Sequence, residues 1–440
     1  MRDIQLLLSQ HVGAPCKPIV EVGTKVEKGT LVAEPTGLGA NIHSSVYGVV
    51  TEIKDDRIII KPDEEQKDAF VLLKEDTPLE MIKASGLVGM GGAGFPTGVK
   101  LSTKIEGGYV LINDAECEPG LQHNIMQTET QTDKLIKGVK YAMEITGAAK
   151  AIFAIKKKNT KAVNILKEAL KSEPNMSIRL MPDIYPMGEE RAVVRECLGG
   201  LELGVAELPS VANAVVMNTE TLIRMTEAID ERRPCISKDL TVIGLLNDAQ
   251  EGKIFKDVPI GTSVADLIDD AGGLMDRPIG ELIMGGPFTG KPTTLEAPIT
   301  KTTGGIIATM EFPDLHGAPM GLLLCACAGD EARMRDVAEK MNSKVVSVAT
   351  CKQAVPARPG GPLKCERPGE CPGQVENSLQ FKKDKCEYIV IGNCSDCSNT
   401  VMGSAPKMGL KVMHQTDHVM RTIGHPLYRT LKVSKTVEQD

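Results

Sequence analysis

The residues whose types and spacing most clearly suggest chemistry lie in a glycine-rich stretch, residues 85–101. Five glycines fall between Gly86 and Gly94, followed by Phe95 and, near the end of the stretch, Lys100. Because glycine has no Cβ, the backbone N–H groups of such a stretch can approach a ligand closely, and phosphate is the usual ligand. The spacing matches neither the Walker loop nor the dinucleotide fingerprint. We therefore predict a nucleotide site of another kind; the alternative is a flexible glycine loop without a ligand.

Polar clusters follow three predicted strands in the region after the glycine loop. Residues 113–116 follow a strand predicted at 109–113, residues 188–190 follow the third predicted strand, and Asn218 ends a fourth. Helices alternate with these strands, the longest predicted over 123–146, which indicates a mostly parallel sheet with its ligand at the carboxyl ends of the strands. We expect the clusters to converge on the glycine loop. The alternative for the acidic pairs is a solvated helix start, where carboxylates interact favourably with the helix dipole.

A second set of chemically suggestive residues is a group of cysteines in the last third of the chain. Cys325 and Cys327 follow an apolar strand, and Cys394 and Cys397 follow another, so both pairs lie at a strand-to-helix turn of a weak internal repeat. A helix N-terminus stabilises a thiolate and lowers the pKa of the thiol. We expect the two pairs to face a common crevice and to exchange electrons as dithiol and disulfide.

A zinc site is the rival interpretation of these thiols. His414 and His418 follow Cys394 and Cys397 at a spacing that approaches a Cys2His2 zinc site. Zinc therefore stays open as a ligand. The alternative for the two histidines is a place on the surface near the chain end.

Composition excludes several classes of function. The formal net charge is −7, aromatic residues make up 3% of the chain and Trp is absent, all of which argue against a nucleic-acid-binding surface. Without a long apolar run or a signal-peptide core, we expect a cytoplasmic protein with no membrane span. Structural disulfides are rare in that compartment. Cys365 and Cys371, in a Pro- and Gly-rich loop at 353–373, are therefore either relay thiols or thiols tolerated in a reducing cytosol.

Four motifs in the first half of the chain resemble a known family. The glycine loop and residues 113–120, 185–190 and 218–222 resemble the flavin and NADH site of the complex I 51-kDa subunit. They resemble the RnfC component of the Rnf electron-transport complex still more closely. The resemblance implies FMN and NADH as cofactors.

The resemblance also assigns residues to the site in four sets. The FMN phosphate is held by Gly89, Gly91, Gly92, Gly94 and Lys100. The flavin is faced by Asn113 and Glu116, and the cleft for flavin and NADH is lined by Gly188, Glu189 and Glu190. The phosphate side is closed by Asn218 and Thr221, and the nicotinamide nucleotide is stacked by Phe95.

The domain organisation follows from chain length and from the same resemblance. A chain of 440 residues is too long for one hydrophobic core. We predict a multi-domain α/β and β protein: a barrel-sandwich hybrid at 1–75 and a flavin-binding α/β domain like that of the complex I 51-kDa subunit at 76–235. A β-grasp (SLBB) domain at 236–312 and a Cys-rich α/β thiol redox domain at 318–440 complete the prediction.

The tail lacks the closely spaced cysteines of the Rnf ferredoxin clusters, and the whole chain resembles the proline reductase-associated electron transfer (PrdC) family. Members of that family can carry selenocysteine, and Cys327 is the candidate for the equivalent position. The resemblance implies an NADH-dependent flavin and thiol oxidoreductase, acting as an oligomer or as part of a complex. Its partner would be D-proline reductase or a similar thiol or selenol reductase. A flavin-free adaptor and a zinc-stabilised assembly protein of that reductase complex stay open as alternatives.

Overall fold

The computed structural model of the chain describes residues 2–326 and 329–425, so Cys327 lies outside the described residues. The N-terminal part consists of two small antiparallel sheets, as the predicted all-β module requires. Alternate side chains of its first and last strands, among them Ile4 and Ile60, are fully buried. The strands are β1 (Ile4–Leu7), β2 (Cys16–Pro18), β3 (Lys25–Val26), β4 (Leu31–Pro35), β5 (Ile42–His43), β6 (Gly48–Ile53) and β7 (Arg57–Pro62).

A four-stranded parallel sheet follows the glycine loop. Its strands are β8 (Tyr109–Asp114), β9 (Lys150–Lys156), β10 (Met176–Met181) and β11 (Ala214–Asn218). They are ordered β10-β9-β8-β11, so the chain crosses from one edge of the sheet to the other before β11. The register pairs Asn218 with Asn113. Two of the predicted polar clusters therefore end side by side at the switch point, where open α/β sheets bind their ligands.

The helices around this sheet differ from the prediction at one place. They are α1 (Pro78–Ala84), α2 (Thr97–Leu101), α3 (His123–Thr130), α4 (Thr132–Thr146), α5 (Thr160–Ala169), α6 (Glu190–Cys197) and α7 (Thr219–Asp230). The single long helix predicted over 123–146 is wrong, because Gln131 has a non-helical backbone (φ −129°, ψ 30°). Just before this break, the hydroxyl of buried Thr128 donates to Asp114 at 3.0 Å, which ties α3 to the sheet edge.

The third unit is a mixed five-stranded sheet with one helix. Its elements are β12 (Ser237–Gly244), β13 (Lys253–Pro259), α8 (Val264–Asp270), β14 (Leu282–Met284), β15 (Lys291–Thr293) and β16 (Gly305–Ala308). The strand order is β13-β12-β16-β14-β15. Ser263 caps α8 by accepting a hydrogen bond from the backbone N–H of Asp266 at 3.1 Å. The turn between β14 and β15 reaches the ligand edge of the parallel sheet.

The C-terminal unit is a second four-stranded parallel sheet, ordered β18-β17-β21-β22. Its elements are β17 (Pro319–Leu324), α9 (Glu331–Lys340), β18 (Lys344–Thr350), β19 (Ala354–Pro356), β20 (Leu363–Cys365), α10 (Val375–Lys383), β21 (Tyr388–Ile391), α11 (Ser395–Ser404), β22 (Lys411–His414) and α12 (Asp417–Thr422). The predicted repeat is present, because strand, helix and strand follow each other twice. Across residues 2–326 and 329–425, no helix has the length and apolar character needed to cross a bilayer.

Candidate functional site

A cleft of about 830 Å³ lies at the carboxyl ends of β8 and β11. More than half of the predicted nucleotide residues line it: Gly91, Gly92, Asn113, Glu116, Gly188, Glu189 and Asn218. Residues 284–286 of the third unit and residues 364–365 of the C-terminal unit complete its wall. The predicted convergence of the glycine loop with the strand ends therefore exists in the fold.

The glycine turn is held against the start of α7. The backbone N–H of Met90 donates to Thr221 Oγ1 at 3.0 Å. A Cβ on Gly91 would lie 2.3 Å from the Asn218 amide nitrogen, so no side chain fits at that position, whereas a Cβ on Gly92 would meet no atom within 4 Å. The turn thus presents bare backbone to the cleft, as close approach of a phosphate or a flavin requires.

Asn113 and Cys117 fix the opposite wall of the cleft. Asn113 Nδ2 donates to the carbonyl oxygen of Gly188 at 2.8 Å, and the backbone N–H of Gly188 donates to Cys117 Sγ at 2.7 Å. A Cβ on Gly188 would lie 3.0 Å from that sulfur. The end of β8 and the turn before α6 are therefore locked together.

Three acidic side chains, Asp114, Glu116 and Glu118, line the cleft, and burial raises the pKa of each. Asp114 accepts hydrogen bonds from two threonine hydroxyl groups at 3.0 and 3.1 Å, yet burial still raises its pKa to about 8. Glu118 accepts hydrogen bonds from the backbone N–H groups of Phe288 at 2.7 Å and Thr289 at 3.1 Å, and burial raises its pKa to about 7. Carboxyl groups that hold protons near neutral pH can donate hydrogen bonds to a bound ligand.

Arg191 is a cleft residue that the sequence analysis missed. Its side chain is 5% exposed, its Nε lies 3.0 Å from Glu189 Oε1, and its Nη2 donates to the carbonyl oxygen of Cys365 at 2.7 Å. The remaining nitrogen, Nη1, is buried and has no partner within the described part of the chain. A buried guanidinium nitrogen without a partner carries a large desolvation cost, which an anionic ligand in the cleft would offset.

The predicted thiols meet at the carboxyl edge of the C-terminal sheet. Cys325 follows β17, Cys394 immediately precedes α11, and Cys397 lies in the first turn of α11. Both Cys325 and Cys394 interact electrostatically with Cys397, which places the three sulfurs at one site. The expected common crevice is therefore present for these three cysteines, whereas Cys327 lies outside the described residues.

Cys371 joins this group, although its sequence position gave no sign of it. Cys371 Sγ lies 3.2 Å from Thr400 Oγ1, and a side-chain hydrogen bond from Cys397 is the main cause that lowers the pKa of Cys371 to about 6. The same hydrogen bond, with burial, raises the pKa of Cys397. The expected lowering of the pKa at Cys397 by the helix N-terminus is therefore wrong, because Cys397 serves as the hydrogen-bond donor and Cys371 carries the thiolate character.

The two histidines of the zinc alternative have other partners. His414 Nε2 lies 2.8 Å from Ser398 Oγ, and His418 Nε2 lies 2.8 Å from Glu281 Oε1. Throughout residues 2–326 and 329–425, no three His, Cys, Asp or Glu side chains are arranged to hold a metal ion. The structure thus gives the zinc alternative no support.

Comparison with known proteins places this architecture in a family. Residues 1–77 match the RnfC barrel sandwich hybrid domain, and residues 82–227 match the Nuo51 FMN-binding domain. The RnfC-type component of the proton-translocating ferredoxin:NAD+ oxidoreductase complex of Clostridium ljungdahlii is 33% identical over 341 residues, 72% of this chain and 72% of that protein. The chain belongs to the RnfC family.

Two further similarities concern parts of this RnfC-family chain. Cobalamin reductase PduS of Citrobacter freundii is 37% identical over 238 residues, 54% of this chain and 50% of PduS. A crystal structure of an NAD+-reducing NiFe hydrogenase in the H2-reduced state covers 53% of this chain and 46% of its own, at 22% identity and a TM-score of 0.45. The RnfC assignment itself rests on the family domains and on the Clostridium protein.

The RnfC family match confirms the predicted fold class for the first two units and the predicted class of enzyme, an oxidoreductase with a flavin domain. All residues predicted to bind the nucleotide lie inside the FMN-binding domain, residues 82–227. The residues at the cleft also fit FMN, because bare glycine backbone and the unpartnered nitrogen of Arg191 suit its phosphate. The other domains and the individual residue roles stay predictions.

The remaining predicted residues of the RnfC flavin site lie beside the cleft. Within the described residues, its lining omits Gly89, Gly94, Phe95, Lys100, Glu190 and Thr221. Lys100 Nζ lies 2.9 Å from Glu190 Oε1 and donates to the carbonyl oxygen of Val216 at 2.9 Å. The backbone N–H of Gly89 donates to the Phe95 carbonyl oxygen at 2.9 Å, which closes the base of the glycine turn. These residues hold the turn and its surroundings together, and their contacts with a nucleotide stay predictions.

Proposed function

We propose that this RnfC-family protein takes two electrons from NADH at the FMN-binding cleft and passes them through thiols to a partner reductase. The observation that carries the proposal is the composition of the cleft wall. The glycine turn and the acidic strand ends form one side, while Ala326 and Cys365 of the thiol unit line the other. A nucleotide site and a thiol site thus share a wall.

The cleft residues divide the work of binding. The backbone at Gly91 and Gly92 admits the phosphate closely, and the guanidinium of Arg191 neutralises its charge. Asn113 and Glu116 face the ring system, where they orient it by hydrogen bonds. When bound, FMN supplies the capacity to accept a hydride from NADH and to release the electrons.

The thiols Cys325, Cys327, Cys394 and Cys397 are proposed as the electron acceptors within the chain. In the overall balance, NADH, one proton and one protein disulfide give NAD+ and two thiols. The dithiol then reduces a disulfide or its selenium counterpart on the partner. The positions of Cys325, Cys394 and Cys397 at one sheet edge support this role.

The proposed partner is D-proline reductase or a similar thiol or selenol reductase in the cytoplasm. Support comes from the resemblance of the whole chain to the PrdC family and from its thiol-rich tail in place of ferredoxin clusters. The Clostridium relative is itself named as a member of a complex, which supports work as part of an assembly. NADH follows from the same relative, whose name includes NAD+.

The visible spectrum of the purified protein tests this proposal. We expect bound flavin with an absorption band at about 450 nm that disappears when NADH is added anaerobically. A colourless protein that binds the reductase without FMN would instead support the adaptor alternative. Flavin that NADH leaves oxidised would contradict NADH as the donor.

A further inference from the structure

The thiol site contains a hydrogen-bonded pair, Cys371 and Cys397. Cys397 is 5% exposed and donates a hydrogen bond to Cys371, which is half-buried. Thr400 Oγ1 lies 3.2 Å from Cys371 Sγ, and Gln374 Nε2 donates to that sulfur at 3.5 Å. Three neighbours therefore direct polar hydrogens at one sulfur, an arrangement that stabilises a thiolate there.

The backbone around Cys371 is attached to the same helix as its partner thiol. The N–H of Cys371 donates to Asp396 Oδ2 at 2.7 Å, and Asp396 immediately precedes Cys397 in the first turn of α11. Thr400, which contacts the sulfur of Cys371, lies on the next turn of α11. The loop is thus fixed to α11 through both its backbone and its side chain, which keeps the two sulfurs adjacent.

We propose that Cys371 and Cys397 form the dithiol and disulfide pair of this protein, with Cys371 as the attacking thiol. The inference rests on the proposed function and refines it, because it replaces the pairing within each strand-to-helix turn by a pairing between a loop and a helix. The unequal exposure of the two thiols supports the roles. An attacking thiol must reach a partner protein, whereas a resolving thiol needs to reach only the first one.

The exchange with a partner disulfide balances in atoms and electrons. The Cys371 thiolate attacks one partner sulfur, which forms a mixed disulfide and releases the other partner sulfur as a thiolate that takes up a proton. Cys397 then gives up its proton and attacks the Cys371 sulfur, which releases the first partner sulfur as a second thiol. Two electrons have passed to the partner. The Cys371–Cys397 disulfide is returned to the dithiol by two electrons and two protons, supplied by NADH and one solvent proton.

Cys351 is the competing partner for Cys371. Gln374 Nε2 also donates to Cys351 Sγ at 3.2 Å, so the same amide contacts both sulfurs. Cys351 nevertheless contacts Cys371 through this amide, whereas Cys397 makes a direct hydrogen bond. The geometry therefore favours Cys397.

Peptide mapping of the full chain tests the pairing. The protein is reduced with dithiothreitol, desalted, oxidised with diamide and digested without reduction, and we expect a linked peptide that contains Cys371 and Cys397. Cys386→Ser serves as the control, since Cys386 is buried in the same unit near the amino end of β21 and should leave the linked peptide unchanged. A link of Cys371 to Cys351, or of Cys397 to Cys325, as the main product would overturn the proposal.

Alkylation gives a second readout that needs no oxidation. We expect the rate of Cys371 alkylation by iodoacetamide to reach half its maximum at about pH 6. Cys397→Ala should move that midpoint to higher pH, because the stabilising hydrogen bond is lost, while Cys386→Ala should not. An unchanged midpoint in Cys397→Ala would contradict the pair.

These two measurements use no NADH and no flavin, so they separate the pair from the proposed function. If the linked peptide forms but NADH does not reduce the flavin, the pair stands and the proposed electron donor is wrong. If NADH reduces the flavin but no link between Cys371 and Cys397 forms, the donor stands and the pair is wrong.

Discussion

Two glycines show what the nucleotide cleft requires of single residues. At Gly91 an added Cβ would overlap the Asn218 amide, so the loop itself excludes a side chain. At Gly92 an added Cβ would meet no protein atom within 4 Å, so only a bound ligand gives a reason for glycine. The second position therefore distinguishes a ligand requirement from a folding requirement.

Gly92→Ala tests that ligand requirement. We expect the free energy of unfolding to stay within about 0.5 kcal/mol of the wild-type value, since the new methyl group meets open space. FMN affinity, measured by fluorescence titration, should fall by roughly tenfold or more, which corresponds to about 1.4 kcal/mol. Gly403→Ala, where an added Cβ also meets nothing within 4 Å, is the control. Equal FMN affinity in all three proteins would argue against a close approach of FMN to Gly92.

Arg191 provides the second test at this scale. Arg191→Ala should weaken FMN binding by roughly 10- to 100-fold, because a charge-assisted hydrogen bond contributes about 1.5–3 kcal/mol. Arg195→Ala is a matched control: Arg195 is equally buried, lies one helical turn further along α6 and also has an unpartnered Nη1, but it is absent from the cleft lining among the described residues. If both variants lose FMN equally, the effect belongs to the helix and not to the cleft.

At the scale of elements, one carboxylate joins the third unit to two helices of the C-terminal unit. Glu281 immediately precedes β14 and is paired with Arg333 and Lys340 of α9, with Lys340 Nζ at 2.8 Å. His418 of α12 lies 2.8 Å from the same carboxylate. Because Glu281 is 8% exposed, its removal would leave several charges without a partner in a buried place.

Glu281→Gln should therefore lower the free energy of unfolding by about 3 kcal/mol or more, measured by urea unfolding. Asp336→Asn is the control, since Asp336 pairs with the same Arg333 and Lys340 but has a side chain that is 40% exposed. Its loss should cost at most about 1 kcal/mol. A similar cost for both variants would contradict the idea that Glu281 is the residue that joins the units.

The same carboxylate makes the stability depend on pH. Hydrogen bonds from His418 and the two cations hold the pKa of Glu281 well below its ordinary value of 4.5. Stabilisation by a carboxylate of depressed pKa is complete above the unfolded value and decreases as the pH falls below it. We therefore expect the difference in unfolding free energy between wild type and Glu281→Gln to be smaller at about pH 3 than at pH 7. A constant difference would contradict this ionisation.

Sequence patterns predicted the elements better than the contacts between them. The polar residues Asn113 and Asn218 could be placed at one sheet edge, because strand alternation and parallel order fix where carboxyl ends meet. Arg191 and Cys371 could not be placed, since each acquires its role from a residue far along the chain, Cys365 for the first and Cys397 for the second. The break at Gln131 was missed because helical periodicity continues across it.

At the scale of the whole molecule, the cleft exists only because three units meet. The backbone of Tyr185, in the turn before α6, donates to Ser395 Oγ at 2.8 Å and accepts from the Ser395 N–H at 3.0 Å. Ser395 is the first residue of α11, which carries Cys397. Glu118 likewise binds the backbone at 288–289 of the third unit. The flavin domain therefore holds the thiol helix in a fixed position beside its own cleft.

The most direct test of electron delivery from cleft to cysteines is an anaerobic titration of the FMN-loaded, disulfide-oxidised protein with NADH, in which flavin absorbance and free thiols are followed together. We expect two new thiols for each NADH consumed, since reduction of one disulfide needs two electrons. Under denaturing alkylation, the new thiols should map to the C-terminal unit. Consumption of NADH with bleached flavin and no new thiols would contradict the central claim that the cleft delivers electrons to the cysteines.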